Sequence, residues 1–366
     1  LKYNYADDSR GDIMLDEAGN CYISSCTKSS NFPATAGAFQ TSFQGGLQDG
    51  CVFKLSNDLS SMQWATYLGG SGDDAAYYLD IDPNQNVYVT GGTSSSNFPV
   101  TAGAFQQTYG GQIDGFLTRL QSDGANIMQS TFIGTPQYDQ SYFVQLDKDF
   151  DVYICGQTTG NYGASPGVYS NPNSGQFIHK FSPDLSISIY HTVFGSGPNS
   201  LGIIKPNISP TAFLVDDCEN VYVSGWGGQC IPLGNTGTTT GLPVTPDAIK
   251  STTDGCDFYF IVLKKDALSL WYGSFYGGNT GSEEHVDGGT SRFDKKGIVY
   301  QSVCAGCGGQ ENFPTTPGVY SSTNNSSNCN IGIIKMDFQL LDLNAAATAA
   351  PTDTVCSNYP ISFNNN

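Results

Sequence analysis

Three aspartates at alternate positions, Asp147, Asp149 and Asp151, are the clearest candidates for metal chemistry in this chain of 366 residues. Alternating carboxylate oxygens are the ligands with which a calcium loop surrounds its ion. The segment lacks the glutamate that completes an EF-hand, and a tight turn, in which Asp and Asn accept hydrogen bonds from their own backbone, uses the same residue types. We interpret the segment as a turn, keep calcium at these three residues as the alternative, and expect no other cofactor.

Catalysis by a serine nucleophile would need a placed base, and the chain has only three histidines, His179, His191 and His285. His285 lies beside several carboxylates, but no Gly-x-Ser-x-Gly motif accompanies it. The carboxylate pair of a glycoside hydrolase can come from distant segments, and spacing singles out no such pair. We therefore predict no catalytic residue and no enzymatic activity.

Eleven cysteines suggest an oxidising compartment, and their odd number leaves at least one unpaired within these residues. Cys304 and Cys307 have the spacing of a redox pair or of half a zinc site, but zinc would need a second pair of ligands. Cys329 is the nearest cysteine downstream. The sequence therefore favours a structural disulfide among these three residues.

The remaining candidate disulfides lie earlier in the chain. Cys218 and Cys230 are one candidate pair. Cys21 and Cys26 lie on one predicted strand and could reach Cys51 instead. Spacing does not fix which cysteines pair.

The elements that carry these residues are repeated. Five copies place an aspartate six positions before a tyrosine, and the tyrosines are 66, 65, 69 and 78 residues apart. Self-similarity at such a period indicates stacked or radially arranged units. The aspartate–tyrosine pairs are Asp16/Tyr22, Asp82/Tyr88, Asp147/Tyr153, Asp216/Tyr222 and Asp294/Tyr300.

Each copy contains signals for four antiparallel strands, seen best at 76–81, 87–92, 115–120 and 126–133. A long loop rich in Gly, Ser and Pro separates the second strand from the third. The third strand carries one basic residue per copy, which we interpret as a solvent-facing charge. A pair with the turn aspartate of another unit is the alternative.

These signals predict an all-β protein, a β-propeller with four-stranded antiparallel blades. The copies cover about 1–70, 71–135, 136–197, 198–278 and 279–343. The last copy lacks a clear fourth strand, and residues 1–5 stand where such a strand belongs. We therefore expect residues 1–5 to complete the last blade, because a closed ring leaves no sheet edge exposed.

The motifs in 64–106, above all Gly-Ala-Phe-Gln and a Thr-Tyr-Leu-Gly-Gly run, resemble the beta-propeller repeat called SBBP. Segments 284–294 and 303–309 resemble large secreted proteins of Bacteroidota that carry PKD-type domains and a gliding-motility-associated sorting domain. The resemblance implies type IX secretion and display on the outer surface of the outer membrane, with the secretion and anchoring machinery as partners. It also implies further blades upstream, in a seven- or eight-bladed wheel.

The resemblance extends to the end of the chain. Residues 344–354 look like a linker, and 355–366 resemble the first strand of a truncated PKD or Ig-like sandwich. Cys356 would then pair beyond Asn366. The triplet 353–355 matches the pattern on which such bacteria O-glycosylate exported proteins, which makes Thr354 the glycosylation candidate.

Charge and hydropathy exclude two classes of partner. The net charge is −18 with only 15 Lys and Arg, so a nucleic-acid partner is not expected. No apolar run approaches the roughly 20 residues that span a bilayer as a helix. We expect a non-enzymatic surface module that acts in adhesion or surface structure.

Such a module would bind other surface proteins or glycans through its inter-strand loops. Further blades from an upstream segment or another chain are possible additional partners. The alternative function is a carbohydrate-active propeller, a glycoside hydrolase or lyase, with its site at the central channel. Acids and aromatic residues converging on one mouth of the channel would favour that alternative.

Overall fold

The computed structural model describes residues 1–5, 7–230, 237–279, 284–286 and 291–338. These residues form nineteen strands in five antiparallel sheets, with three short 3-10 turns and no α-helix among them. The prediction of an all-β propeller is confirmed. The predicted linker 344–354, the sandwich strand 355–366 and Thr354 lie outside the described residues.

We number the sheets as blades 1 to 5 in chain order. Blade 1 contains β1 (Asp12–Leu15), β2 (Cys21–Thr27), β3 (Asp49–Leu55) and β4 (Met62–Leu68). Blade 2 contains β5 (Asp74–Ile81), β6 (Val87–Thr93), β7 (Asp114–Leu120) and β8 (Ile127–Ile133). Blade 3 contains β9 (Asp139–Leu146), β10 (Val152–Thr158), β11 (Gln176–Phe181) and β12 (Ser188–Phe194). Blade 4 contains β13 (Ser209–Val215), β14 (Val221–Trp226), β15 (Phe258–Leu263) and β16 (Leu270–Tyr276). Blade 5 has three strands among the described residues, β17 (Ser291–Phe293), β18 (Val299–Ala305) and β19 (Asn330–Met336).

The first strand of each blade lies innermost, around the central channel. Neighbouring first strands contact each other directly, because the Leu146 N–H donates to Asp80 (2.8 Å) and the Val215 N–H donates to Gln145 (2.7 Å). The ring passes from blade 5 to blade 1 through the ion pair of Arg292 with Asp12. The described chain is therefore a ring of five blades, and the further blades of a larger wheel stay a prediction.

The surfaces that face each other between blades 5 and 1 are less covered than those at the other contacts. Tyr300 of blade 5 is 41% exposed, whereas the tyrosines at the same position of the other four blades are buried. Ile13 on the first strand of blade 1 is 58% exposed. Tyr300 therefore lacks part of the burial that stabilises the tyrosines of the other four blades.

The repeated aspartate is a turn residue in all five copies. In blade 2, Asp82 Oδ1 accepts hydrogen bonds from the backbone N–H groups of Asn84 and Asn86, both at 2.9 Å. The residue three positions after the aspartate has a left-handed conformation, as at Gln85 with φ 62°. The side chain holds the backbone in this turn, as an Asx-turn does. The repeat is thus a hairpin between the first two strands of each blade.

The prediction that the basic residue of the third strand is a solvent-facing charge is wrong in blades 1 and 3, whereas Lys335 of blade 5 is exposed. Lys54 is 6% exposed and Lys180 is 4% exposed, because each lies between its own blade's tyrosine and turn aspartate. Lys180 Nζ lies 3.0 Å from Asp147 and 4.9 Å from the ring centre of Tyr153. Alternating polarity shows that a strand has two faces, but not that both are covered by neighbouring blades.

Candidate functional site

The segment Leu1–Tyr5 fills one end of the central channel and forms no strand. The Tyr3 ring stacks on Tyr138, with ring centres 4.1 Å apart. The Leu1 carbonyl accepts a hydrogen bond from Gln140 Nε2 at 2.9 Å. The expectation that these residues complete blade 5 is therefore wrong, because they bury their aromatic and polar groups against the inner strands of blade 3 instead.

A saturated polar network fixes this segment in the channel. The carboxylate of Asp7 accepts from the Asn4 N–H (2.6 Å), the Tyr142 hydroxyl (3.0 Å) and Arg10 Nε (2.8 Å). Arg10 also donates to the Pro210 carbonyl of blade 4 at 3.0 Å. Buried polar groups that are all satisfied in this way hold one arrangement. This end of the channel is a structural plug.

A second group of charged residues lies further along the first strands. Asp12 on β1 is 5% exposed and its Oδ1 lies 2.5 Å from Arg292 Nη2 on β17. The Arg292 side chain is 44% exposed, so solvent reaches this group. The guanidinium lies 5.8 Å from the ring centre of Tyr78 on β5. We call Asp12, Tyr78, Asp80 and Arg292 the channel cluster.

Burial dominates the electrostatics of the channel cluster. It raises the pKa of Asp12 to about 7, against the opposing effect of Arg292, and the nearby charge of Asp80 adds to the rise. Burial also raises the pKa of Asp80 to about 6, although its oxygens accept hydrogen bonds from the N–H groups of Leu146 and Ile81. A carboxylic acid with a pKa near neutrality exists in both protonation states at physiological pH. Asp12 can therefore donate or accept a proton there.

The sequence analysis missed the channel cluster because its members come from three blades. Asp12 and Arg292 are 280 residues apart in the chain. Asp12 belongs to no motif, and segment 284–294, which contains Arg292, indicates only a family resemblance and no chemistry. The only usable signal was their position in first-strand segments, which line the channel in a propeller.

The sequence analysis also missed a Gly-x-Ser-x-Gly match at 163–167. The Ser165 hydroxyl lies 3.2 Å from His191 Nδ1, and it also accepts from the His191 backbone N–H at 3.0 Å. Thr101 accepts from the Ser130 N–H at 3.0 Å in the same way in blade 2. The His191 ring faces Tyr162 and His179 rather than a carboxylate. Ser165 therefore has a structural role, in which its hydroxyl binds the backbone of the fourth strand, and no carboxylate completes a catalytic triad with His191.

The calcium candidates are paired with basic side chains. Lys180 Nζ lies 3.0 Å from both Asp147 and Asp151, and Lys148 Nζ lies 3.1 Å from Asp149. An ammonium group thus stands where the calcium alternative would place its ion. No group of three or more His, Cys, Asp or Glu side chains suited to a metal occurs in the described part of the chain.

One predicted disulfide is present, between Cys307 and Cys329, and Cys304 takes no part in it. Cys218 and Cys256 each take part in a disulfide as well. The side chain of Cys230 lies outside the described residues, so its pairing with Cys218 stays a prediction.

The predicted bond from Cys21 or Cys26 to Cys51 is wrong, since all three are free thiols. Cys51 lies opposite Ser25, whereas Cys26 lies opposite Gly50. Consecutive residues of a strand point to opposite faces, so Cys26 and Cys51 cannot meet. Cys21 lies opposite Leu55, four residues along the strand from Cys51.

A groove of about 680 Å³ lies away from the channel cluster, along β19 at the outer edge of blade 5. Its lining includes Phe313, Tyr320, Ile331 and Ile333. Chemistry needs groups that can transfer protons or bind charge, and this groove is mainly apolar. We therefore place the candidate site at the channel cluster.

Comparison with known proteins identifies the repeat. The family model described as "Beta-propeller repeat" (SBBP) matches residues 63–99, which run from β4 through β6. No curated protein matches the chain. None of the described residues forms a helix of the length and apolarity that a membrane span requires.

Several solved propellers are similar in structure. A PL25 ulvan lyase is 12% identical, over 92% of this chain and 72% of that one, with a TM-score of 0.45. An endo-arabinase from Bacteroides thetaiotaomicron VPI-5482 is 11% identical, over 92% and 97% of the two chains, with a TM-score of 0.39. BamB from Moraxella catarrhalis is 11% identical with a TM-score of 0.33; 80% of this chain aligns with 59% of BamB.

These comparisons correct the prediction that the chain is not an enzyme. Two of the three similar structures are carbohydrate-cleaving enzymes by their printed names. At such identities the likeness shows the fold alone and assigns no substrate. The chain is a β-propeller with an SBBP beta-propeller repeat at residues 63–99.

Proposed function

We propose that this protein is a carbohydrate-active propeller that cleaves a glycan at the channel cluster. The observation that carries the proposal is the buried acid Asp12, which lies 2.5 Å from the half-exposed cation Arg292 in the channel cluster. Burial raises the pKa of Asp12 to about 7. Glycan cleavage needs a group that protonates the leaving oxygen near neutral pH. Asp12 has that property, and the plug directs substrate to the opposite end of the channel.

The other members of the cluster have distinct roles in this proposal. Burial, with a smaller contribution from the negative charge of Asp80, raises the pKa of Asp12, while the Asp80 oxygens accept hydrogen bonds from backbone N–H groups. Arg292 binds acidic or hydroxyl groups of the sugar, and the Tyr78 ring offers an apolar face to the sugar. Two acids, Asp12 and Asp80, and one aromatic residue, Tyr78, thus lie close together in the channel, which supports a carbohydrate-active propeller.

We also propose that the protein acts outside the cytoplasm, on glycans at the surface of the cell that exports it. The Cys307–Cys329 disulfide supports an oxidising compartment. Type IX export and the anchoring machinery remain part of this proposal through the sequence resemblance alone. Localising the tagged protein by protease treatment of intact cells tests this part separately.

Asp12→Asn tests the proposed chemistry, because it keeps the shape of the side chain and removes its acid. The purified chain is incubated with neutral and uronate-containing polysaccharides, and new reducing ends and unsaturated products are measured. We expect wild type to cleave at least one of them and Asp12→Asn to lower the rate by about 100-fold or more. The exposed Asp58 gives the matched control, Asp58→Asn, which should keep the full rate.

The pH profile checks the same role independently. If Asp12 acts as the acid, the rate falls as pH rises through about 7, where Asp12 loses its proton. A wild type that cleaves and binds none of the polysaccharides, or an Asp12→Asn variant with the full rate, would refute the proposed function.

A further inference from the structure

A glycine follows the fourth strand at four contacts between consecutive blades, and buried acidic or polar side chains converge on it. A Cβ on Gly69 would lie 2.7 Å from Asp49 Oδ1 and 2.9 Å from Asp74 Oδ2. Such distances leave no room for a side chain, so only glycine fits there. We call these contacts junctions 1/2, 2/3, 3/4 and 4/5; their glycines are Gly69, Gly134, Gly195 and Gly277.

Junction 4/5 shows what an acid pair at this place requires. A Cβ on Gly277 would lie 2.3 Å from Asp257 Oδ1 and 2.6 Å from Glu284 Oε2. Lys250 Nζ donates to Asp257 Oδ1 at 2.7 Å and to the Gly277 carbonyl at 3.1 Å, and it also bonds the Gly278 carbonyl. The junction therefore has a cation held by one carboxylate and two backbone carbonyls.

Junction 3/4 shows the neutral case. Its glycine, Gly195, faces Asn207 Oδ1 and Ser174 Oγ, at 2.7 and 3.0 Å from the Cβ it lacks. Asn207 Oδ1 accepts the Ser196 N–H at 3.0 Å, just as Asp74 Oδ2 accepts the Gly70 N–H at 2.7 Å. An amide oxygen therefore accepts the hydrogen bond from the loop N–H just as a carboxylate oxygen does. Where the side chains carry no charge, the junction has no cation.

Junctions 1/2 and 2/3 have the acids without the lysine. Gln40 of blade 1 and Gln106 of blade 2 occupy the position that Lys250 has in blade 4. The backbone carbonyl of each of these three residues accepts a hydrogen bond from the N–H of the equivalent fourth-strand residue, which is Tyr67, Phe132 or Phe275. Gln40 Nε2 donates to the Gly69 carbonyl at 2.9 Å and brings no charge. The acids at the two junctions are Asp49 with Asp74, and Asp114 with Asp139.

All four of these aspartates are fully buried. One oxygen of each accepts a loop N–H; for Asp49 the donor is Gln44 (2.6 Å), and for Asp114 it is Gly110 (2.7 Å). The other oxygen of Asp49 and of Asp114, Oδ1, has no hydrogen-bond partner among the described residues. It is the atom that corresponds to Asp257 Oδ1, which binds the lysine in junction 4/5. A buried anionic oxygen without a partner is costly, and a cation would remove that cost.

We propose that junctions 1/2 and 2/3 each bind one calcium ion, which joins neighbouring blades where junction 4/5 uses Lys250. Paired carboxylates and backbone carbonyls are the hard oxygen ligands that calcium takes. Burial raises the pKa of Asp49 and Asp74 to about 6 and that of Asp114 to about 7, so these acids are costly to ionise while no cation is bound. These sites are separate from the channel cluster and do not depend on the proposed function.

Calcium titration of the intact chain after EGTA treatment tests the proposal. Isothermal calorimetry should give two ions per chain, and calcium should raise Tm over that in EGTA. Asp49→Asn should remove one ion by neutralising junction 1/2, and Asp114→Asn should remove the other. Lys250→Gln copies the residue of junctions 1/2 and 2/3 into junction 4/5, so it should create a third site. Asp58→Asn, on an exposed turn, controls for weak binding by the acidic surface.

Three results would overturn the proposal. The first is a wild type whose Tm is the same in calcium and EGTA and which binds no stoichiometric ion. The second is an unchanged count of two in both aspartate variants, which would place the ions elsewhere. The third is a Lys250→Gln variant that binds no more ions than wild type, which would show that the junctions are not equivalent. This variant also keeps the proposal testable if an aspartate variant fails to fold.

Discussion

Lys180→Met should be among the most destabilising single changes to the propeller, because it removes a buried cation and leaves its carboxylates. Lys180 Nζ lies 3.0 Å from Asp147 and from Asp151 and 3.4 Å from Glu219, and its side chain is 5% exposed. Burial alone would lower the pKa of Lys180, but hydrogen bonds to Asp147 and Asp151 raise it above its ordinary value. The folded state therefore holds this lysine charged.

The size of the effect follows from the carboxylates that lose their partner. Removing one member of a buried ion pair costs about 3–5 kcal/mol. Glu219 keeps Lys148 and Lys265 as partners, and Asp147 keeps two backbone N–H donors, so the lower end of the range applies. The lost contact with the Tyr153 ring adds about 0.5–1 kcal/mol. We expect a loss of about 3–4 kcal/mol of unfolding free energy.

Urea unfolding of wild type and Lys180→Met measures the loss. Lys2→Met is the matched control, because Lys2 pairs with Asp8 at the surface with 47% of its side chain exposed. An exposed pair contributes about 0–1 kcal/mol, so this variant should remain close to wild type. A Lys180→Met variant that loses less than about 1 kcal/mol would refute the reasoning.

A double-mutant cycle separates the charge from the packing. In blade 3, Lys180 lies opposite Tyr153, whereas in blade 4 the apolar Val262 lies opposite the equivalent Tyr222. Blade 4 keeps its turn without this lysine, because the Tyr222 hydroxyl donates to the turn aspartate Asp216 at 3.0 Å. Asp147→Asn combined with Lys180→Met should therefore cost less than the two single losses added together. Additive losses would show that the two side chains do not act as a pair.

Two further predictions concern pH and the plug. Burial raises the pKa of Asp12 and of the four junction aspartates from the ordinary value near 4 to about 6–7 in the folded state. Between about pH 4 and pH 7 the folded state therefore binds more protons than the unfolded state, and the free energy of unfolding falls as pH rises through this range. In EGTA we expect a higher Tm at about pH 5 than at about pH 8, and the opposite order would contradict these environments. Tyr3→Ala removes the ring that stacks on Tyr138 and should cost about 1–3 kcal/mol in urea unfolding, whereas a strand role for residues 1–5 would make the same change nearly neutral.

Sequence alone determined the architecture, because the repeat is local. The aspartate turn, the alternating strands and the glycines are each read from neighbouring residues, and a repeated unit with unpaired faces must stack. The turn interpretation of Asp147, Asp149 and Asp151 also follows from local spacing. Local spacing does not show which faces of a blade are covered by its neighbours, and for that reason the sequence predicts surface charges at Lys54 and Lys180.

Only the tertiary structure decided the sites, because their members meet across blades. Asp12 and Arg292 come together when the ring brings the first and last blades to one axis. Asp49 and Asp74 meet at a junction that no spacing rule describes. The position of Tyr3 was equally undecided, since an open sheet edge and an open channel both offered partners to the same residues. Burial, which sets the pKa values and the cost of each unpaired charge, is a property of the assembled ring and not of the chain.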